Sequence, residues 1–212
     1  MSIEDTRREY DYGRLSRESL LDCPFEQFQL WLDQACQSPI KDPTAMTIAT
    51  VDADNKPWHR AVLLKGFDKR GLVFYTNLGS RKAHDIAGNP HASLHFPWFF
   101  LDRQVSIGGR VEKVSRKEVL KYFLSRPKDS QLAAWASKQS SRLTSRQALE
   151  GQFIAMKEKF AQGEIPTPDF WGGFRVVPEE FQFWQGGENR LHDRYQYSLD
   201  KGERWVINQL AP

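Results

Sequence analysis

Residues 184–194 read WQGGENRLHDR. Three cation-capable side chains, Arg190, His192 and Arg194, recur at every second position beside Trp184 and the Gly186-Gly187 pair. On an extended strand that spacing puts all three on one face. Such a face is suited to an anionic ligand; a solvated edge strand accounts for the same alternation. The glycine pair reads as a place where the backbone turns.

Four further stretches could hold an anion. In YTNLGSRKAHDI (75–86), Ser80 reads as a helix N-cap, so Arg81 and Lys82 fall in the first turn. The positive end of the helix dipole disfavours cations there by about 0.3–1 kcal/mol each. A bound anion would turn the conflict into a joint site of backbone amides and two cations; a screened, tolerated pair is the other reading. In WHRAVLLK (58–65), Arg60 and Lys65 differ in parity and so point to opposite faces of an ideal strand. Each reaches a separate anionic group, or both are exposed on an edge. In KYFLSRPKDSQ (121–131), Tyr122 and Arg126 lie four apart on one helix face and Ser130 follows the Pro127 break. All three donate hydrogen bonds, and Arg does so bidentately, which suits a phosphate monoester. Arg126 also suits a helix C-terminus for its dipole alone. In SKQSSRLTSR (137–146), Lys138, Arg142 and Arg146 read as a solvated face, while Gln139 and Ser140 could donate to a ligand.

The sequence carries no Walker loop, GxGxxG, GxSxG or HExxH motif. His192 has no Ser or Cys nucleophile near it in sequence, and no Cys/His spacing indicates a metal. Several small phosphate-suited clusters point to two phosphorylated ligands or one large one.

These residues need a scaffold. The chain has 212 residues, 40% hydrophobic and 27% charged, ordinary for a globular protein. Net charge is +3 with the signs interspersed, too weak to argue for nucleic acid. Two cysteines, Cys23 and Cys36, form no disulfide framework and fit a reducing compartment. The N-terminal stretch has no apolar signal core and no run approaches membrane-spanning length, so a cytoplasmic protein is expected. Residues 1–20 are charged and poorly periodic and read as a mobile arm; residues 21–212 read as one domain. Phe25, Phe28, Leu32 and Ala35 share a helical face, with Asp22 as N-cap and Pro24 in the first turn. Further helices are expected from Ser80 to Gly88, from Ser115 to just before Pro127, and over 144–162. Nine segments read as strands: AMTIATVD, WHRAVLLK, GLVFYT, ASLHFPW, RQVSIGGRVEKV, GGFRVV, EEFQFWQ, RLHDRYQYS and RWVINQL. IGGR marks a bulge or a close backbone approach. Hairpin-length turns between so many strands favour an antiparallel barrel over a βαβ fold.

Taken in order, RAVLLK, FYTNLGSRKAHDI, YFLSRPKDSQ, SKQSS, FWGGFRV and FWQGGENRLHDR resemble the pyridoxamine 5′-phosphate oxidase family, from RREY at 7–10 to the terminal QLAP. The resemblance implies a mainly β fold: an antiparallel, Greek-key-like split β-barrel with peripheral helices. It implies a homodimer with shared active sites and FMN at the subunit interface, without nucleic acid, membrane or metal. The implied reaction oxidises pyridoxine or pyridoxamine 5′-phosphate to pyridoxal 5′-phosphate and reduces oxygen to hydrogen peroxide. Arg60, Ala61, Val62, Leu63, Leu64, Lys65, Tyr75, Thr76, Arg81 and Lys82 match the family's FMN segments, as do Gln104, Gln139, Ser140, Trp184 and Arg194. Lys65, Tyr122, Arg126 and Ser130 match its substrate-phosphate set. Arg190 and His192, with Leu191 between them, match residues over the substrate ring and carry the implied catalysis. Arg7 and Tyr10 match an arm that closes over the site. A non-catalytic flavin or pyridoxal-phosphate carrier and a nicotinamide-dependent flavin reductase on the same barrel are the other readings. The joint presence of Arg126, Ser130, Arg190 and His192 separates them, because a generic flavin binder has no need of a second phosphate pocket.

Overall fold

The computed structural model describes residues 2–5, 8–202 and 204–212. The period-2 alternation of the sequence becomes the inside and outside of one sheet. In β5 (His91–Trp98), Ala92, Leu94, Phe96 and Trp98 are buried while His91 and Ser93 face outward. In β6 (Arg103–Lys113), Val105, Ile107 and Val111 point inward. These strands join β1 (Ala45–Val51), β2 (Pro57–Leu63), β3 (Gly66–Asp68), β4 (Gly71–Asn77) and β7 (Trp171–Gln185) in the order β2-β1-β5-β6-β7-β4-β3. β8 (Asp193–Leu199) adds to β7, and β9 (Trp205–Leu210) to β8. Every pairing is antiparallel.

Two features close the sheet. β7 pairs with β4 through residues 171–176 and with β8 through 180–185, so its far edge changes partner half-way. The chain between β2 and β3 steps from one margin of the sheet to the other: Leu64 N donates to Thr44 O and Lys65 N to Val73 O, each at 2.9 Å. The result is the antiparallel split barrel expected from the sequence. α1 (Pro24–Gln37) lays Phe28 against Phe67, Phe96 and Trp98, and Trp31 against Phe183. α2 (Arg81–Gly88), α3 (Arg116–Ser125), α4 (Lys128–Ala136) and α5 (Arg146–Lys159) lie outside the strands. Phe123, Leu132, Ala134 and Ile165 make a second small core there, with Phe153, Met156 and Phe160 packed on it.

Several expectations are corrected. GGFRVV and EEFQFWQ are one 15-residue strand, β7. Pro178 is accommodated because the register against β6 shifts between Gly108 and Gly109, leaving Glu179 as the extra residue of a bulge. A Cβ on Gly109 would meet Val177 O at 2.1 Å, so IGGR marks both a bulge and a close approach. α4 was not anticipated: Pro127 starts a new helix as well as ending the old one. Cys23, not Asp22, is the N-cap of α1, and Asp22 accepts from Arg17 instead. RLHDRYQYS is strand only from Asp193 onward. Among the described residues no helix is long and apolar enough to cross a membrane.

Candidate active site

Thr76 lies one residue before the end of β4 and Ser80 opens α2, so a tight strand-to-helix turn gathers their hydroxyls. Ser80 is the N-cap, yet its hydroxyl makes no capping bond. It lies 3.5 Å from Thr76 Oγ1 and accepts from Lys82 Nζ at 3.4 Å. Lys82 Nζ also donates to Thr76 Oγ1 at 3.0 Å and to Gln139 Oε1 at 3.3 Å. These acceptors are neutral and the side chain is buried. Burial therefore pulls the Lys82 ammonium down to about 8; Arg60 adds to the effect and Asp85 opposes it. Arg60 sits opposite Ile48 on β1 and donates to Thr50 Oγ1 at 2.6 Å. It pairs with Asp85 Oδ2 at 3.5 Å; burial lowers its pKa and Asp85 counters. Arg81 leans the other way, donating to Asp52 Oδ2 at 2.9 Å with its guanidinium 3.7 Å over the Trp58 ring.

The same site continues onto α3. The Tyr75 and Tyr122 rings stack at 3.9 Å and 10°. Arg126 is the C-cap of α3 with extended backbone (ψ 149), so it has left the helix that carries Tyr122. Its guanidinium lies 4.3 Å over Trp171, and its Nη1 is buried without a hydrogen-bond partner. Burial lowers its pKa, with Tyr122 opposing. Burial likewise raises the Tyr122 phenol, which Arg126 counters. Ser130 sits half-buried in the first turn of α4. Lys65 is exposed beyond the end of β2, so the strand-parity argument does not apply to it. Ser140, exposed, takes a left-handed φ of 69°.

A second group lies elsewhere on the sheet. Gln104, Trp184 and Arg194 share one ladder row across β6, β7 and β8. Arg194 donates to Gln182 Oε1 at 3.1 Å and to Ala211 O at 3.0 Å. Arg190 and His192 are not on that strand. Residues 188–190 form a 3-10 turn, with Asn189 and Arg190 at positive φ (54° and 62°). The three bases therefore do not share a strand face as their spacing suggested. Neither Gly186 nor Gly187 is among the positive-φ residues, so the turn is not made by glycine freedom. The pair is needed for close approach: a Cβ on Gly186 would meet the Tyr10 ring at 2.6 Å, and one on Gly187 would meet Leu191 O at 2.4 Å. The His192 and Trp184 centroids are 4.6 Å apart, and Tyr10 meets both edge-on at 5.3 and 5.7 Å. Gly187 N donates to His192 Nδ1 at 3.1 Å, which puts the proton of the neutral ring on Nε2. Burial, then Arg190, push the His192 pKa down against Asp193, favouring that neutral form. Leu191 is exposed; Arg7 lies outside the described residues.

The two groups stand apart on one protomer. Tyr75 is paired with Gly173 on β7, and at about 3.3 Å per residue roughly 35 Å of strand lies between Gly173 and Trp184.

A family model described as pyridoxamine 5′-phosphate oxidase matches residues 32–160. The chain belongs to the pyridoxamine 5′-phosphate oxidase family. A second model, described as the pyridoxine 5′-phosphate oxidase C-terminal dimerisation region, matches residues 171–212 and so contains the whole Trp184–Arg194 group. The chain is 58% identical to proteins named pyridoxine/pyridoxamine 5′-phosphate oxidase from Aeromonas hydrophila and Aliivibrio fischeri, over all of both chains. Among solved structures, PhzG from Burkholderia lata, in complex with tetrahydrophenazine-1-carboxylic acid, is 28% identical, with a TM-score of 0.86 over 92% of this chain and 95% of its own. A pyridoxamine 5′-phosphate oxidase-related, FMN binding protein from Nostoc punctiforme shares the fold, at 16% identity and a TM-score of 0.72 over 92% and 99%.

Within this family frame, sequence reasoning reached Arg60, Thr76, Lys82 and Gln139, which touch or share partners, and the stacked Tyr75 and Tyr122. It missed the acids and hydroxyls that aim the cations: Asp52 under Arg81, Asp85 and Thr50 under Arg60, and Ser80 under Lys82. Asp52 sits in a turn, and only the folded chain brings it to a residue 29 positions on.

Proposed function

We propose that this protein oxidises pyridoxine or pyridoxamine 5′-phosphate to pyridoxal 5′-phosphate, using FMN, with oxygen reduced to hydrogen peroxide. One observation carries the reading: two anion-suited sites lie side by side, Lys82 with Arg60 at the start of α2 and Arg126 beside Tyr122, joined by the Tyr75–Tyr122 stack. The names of the full-length relatives support the same substrates.

The donor set fits a flavin phosphate. Lys82 is buried against neutral oxygens, and a bound dianion would relieve the cost that lowers its pKa. Arg60 to Lys65, with Tyr75, Thr76, Arg81, Lys82, Gln139 and Ser140, would hold the cofactor from one subunit. Gln104, Trp184 and Arg194 would come from a second copy: their row lies at the other end of β7 from the Tyr75 pairing, and Trp184 and Arg194 fall in the segment matched to a dimerisation region. FMN, when bound, supplies the two-electron acceptor that no side chain provides.

The chain's own residues bind and orient. Arg126, whose buried Nη1 lacks a partner, Tyr122, Ser130 and Lys65 would anchor the substrate phosphate and spend its binding energy on position. His192, neutral with its proton on Nε2, would donate to the substrate rather than take a proton at that atom. Arg190 would orient the substrate ring, and Arg194 would stabilise negative charge developing on the cofactor side. The arm, residues 1–20, would cover the 21–212 domain, with Tyr10 excluding water at the Trp184–His192 face.

The purified protein should be yellow, dimeric by sedimentation, and consume oxygen on addition of pyridoxine 5′-phosphate. Arg190→Met should lower turnover more than FMN affinity. A yellow protein that ignores this substrate and oxidises a nicotinamide would overturn the proposal in favour of a reductase.

A further inference from the structure

We infer that Asp102 is a positioning residue: it latches the N-terminal arm through Arg8 and so seats Tyr10 on the Trp184–His192 face. The inference rests on the function proposed above for that face.

Asp102 caps a 3-10 turn (Phe99–Leu101) and immediately precedes β6. Its backbone is left-handed (φ 51°, ψ 35°) and the residue is buried. The main chain of Asp102 is fastened to the end of β7: its carbonyl accepts from Gly186 N at 2.7 Å and from Gln185 Nε2 at 3.3 Å. The carboxylate turns the other way and forms an ion pair with Arg8. Arg8 also donates to Phe99 O at 3.0 Å, so the guanidinium is held by the same turn. Two residues on, Tyr10 lies 5.1 Å beneath that guanidinium and fills the space over Gly186. It meets Trp184 and His192 edge-on. A second acid holds the other side of the arm: Leu15 N donates to Asp193 Oδ2 at 3.0 Å, and Leu15 is buried.

One residue thus links the arm to the strand end that carries Trp184. The Asp193 bond fixes the arm five residues beyond Tyr10 and leaves the ring free to swing; the Asp102 pair fixes it two residues before. Without the Asp102 carboxylate, Tyr10 keeps its contacts only while the arm happens to be down. Substrate would escape more readily, whereas the groups at the start of α2 that would hold the cofactor phosphate are untouched. A pair with one buried partner resists solvent screening better than a surface pair.

The test compares Asp102→Asn, Arg8→Gln and the double variant. Asn tolerates left-handed backbone, so Asp102→Asn removes the charge while keeping the turn. Each single variant should raise KM for pyridoxine 5′-phosphate roughly tenfold, the loss of one ion pair with a buried partner, with kcat within about twofold. FMN retention and thermal midpoint should stay unchanged. Chymotryptic cleavage after Tyr10, read by mass spectrometry, should accelerate by a similar factor. The double variant should be no worse than either single one, and Arg8→Lys should restore part of the loss. Unchanged cleavage and KM in Asp102→Asn would overturn the inference, as would effects of the two variants that multiply. A loss of FMN retention in step with activity would also overturn it, by making Asp102 merely structural. The cleavage comparison needs no turnover, so it decides the latch even if the oxidase reading fails.

Discussion

Replacing Lys82 with Met should make the ligand-free protein more stable and its hold on FMN weaker. The two signs differ because the ammonium is buried before any anion arrives. Its pKa falls from the ordinary 10.5 to about 8, chiefly through burial. At about 1.4 kcal/mol per pH unit the difference corresponds to about 3 kcal/mol of unfavourable burial, and residual water brings this nearer 2. Met fills the same space without that cost, so the unliganded variant should gain about 1–2 kcal/mol in urea melts at pH 7. The gain should shrink as pH rises. Below about 8 the wild-type lysine is charged in both states and the penalty is complete; between about 8 and 10.5 the unfolded chain holds a proton that the folded chain releases, so wild-type stability climbs. With FMN the balance reverses: losing one charged donor should weaken binding by about 1.5–3 kcal/mol, roughly 10- to 150-fold in Kd. Wild-type FMN binding near pH 8.5 should also take up protons, seen by calorimetry in buffers of different ionisation enthalpy, and the variant should not. A variant that is less stable without ligand, or a wild type that binds FMN with no proton uptake, would refute the reasoning.

Arg126→Met keeps an apolar side chain over Trp171 and removes the charge; KM for the phosphorylated substrate should rise roughly 10- to 100-fold, with FMN affinity intact in a fluorescence titration. Gly186→Ala puts a Cβ 2.6 Å from the Tyr10 ring and should displace the arm, read as faster proteolysis after Tyr10 and a raised KM. Phe28→Ala, at a fully buried ring facing Phe67, Phe96 and Trp98, should cost about 3–5 kcal/mol in chemical denaturation.

The legibility of the fold followed from local physics. Alternation in ASLHFPW and RQVSIGG set which side chains face inward, and Pro24 with the Phe25, Phe28, Leu32, Ala35 stripe set α1. Helix start chemistry placed Arg81 and Lys82 in the first turn of α2 from sequence alone. Where local signals failed, a long-range partner decided. β7 runs through Pro178 because β6 supplies the bulge. The alternating bases at 190, 192 and 194 imitate a strand, but residues 188–190 take a 3-10 turn with Asn189 and Arg190 at positive φ, and the strand begins only at Asp193.

By itself, then, the sequence determined the alternating strands, the start of α2 and the residue types suited to phosphate, because each depends on neighbours a few positions away. Only the tertiary structure decided which of those residues meet. Lys82 acquires its lowered pKa from burial and from Arg60, 22 positions earlier in the chain, and Arg126 its partnerless Nη1 from packing over Trp171. The separation of Trp184 and Arg194 from Tyr75 and Thr76 comes from strand pairing, with β4 on the first half of β7 and β8 on the second, set by hydrogen bonding between distant segments that no local pattern encodes.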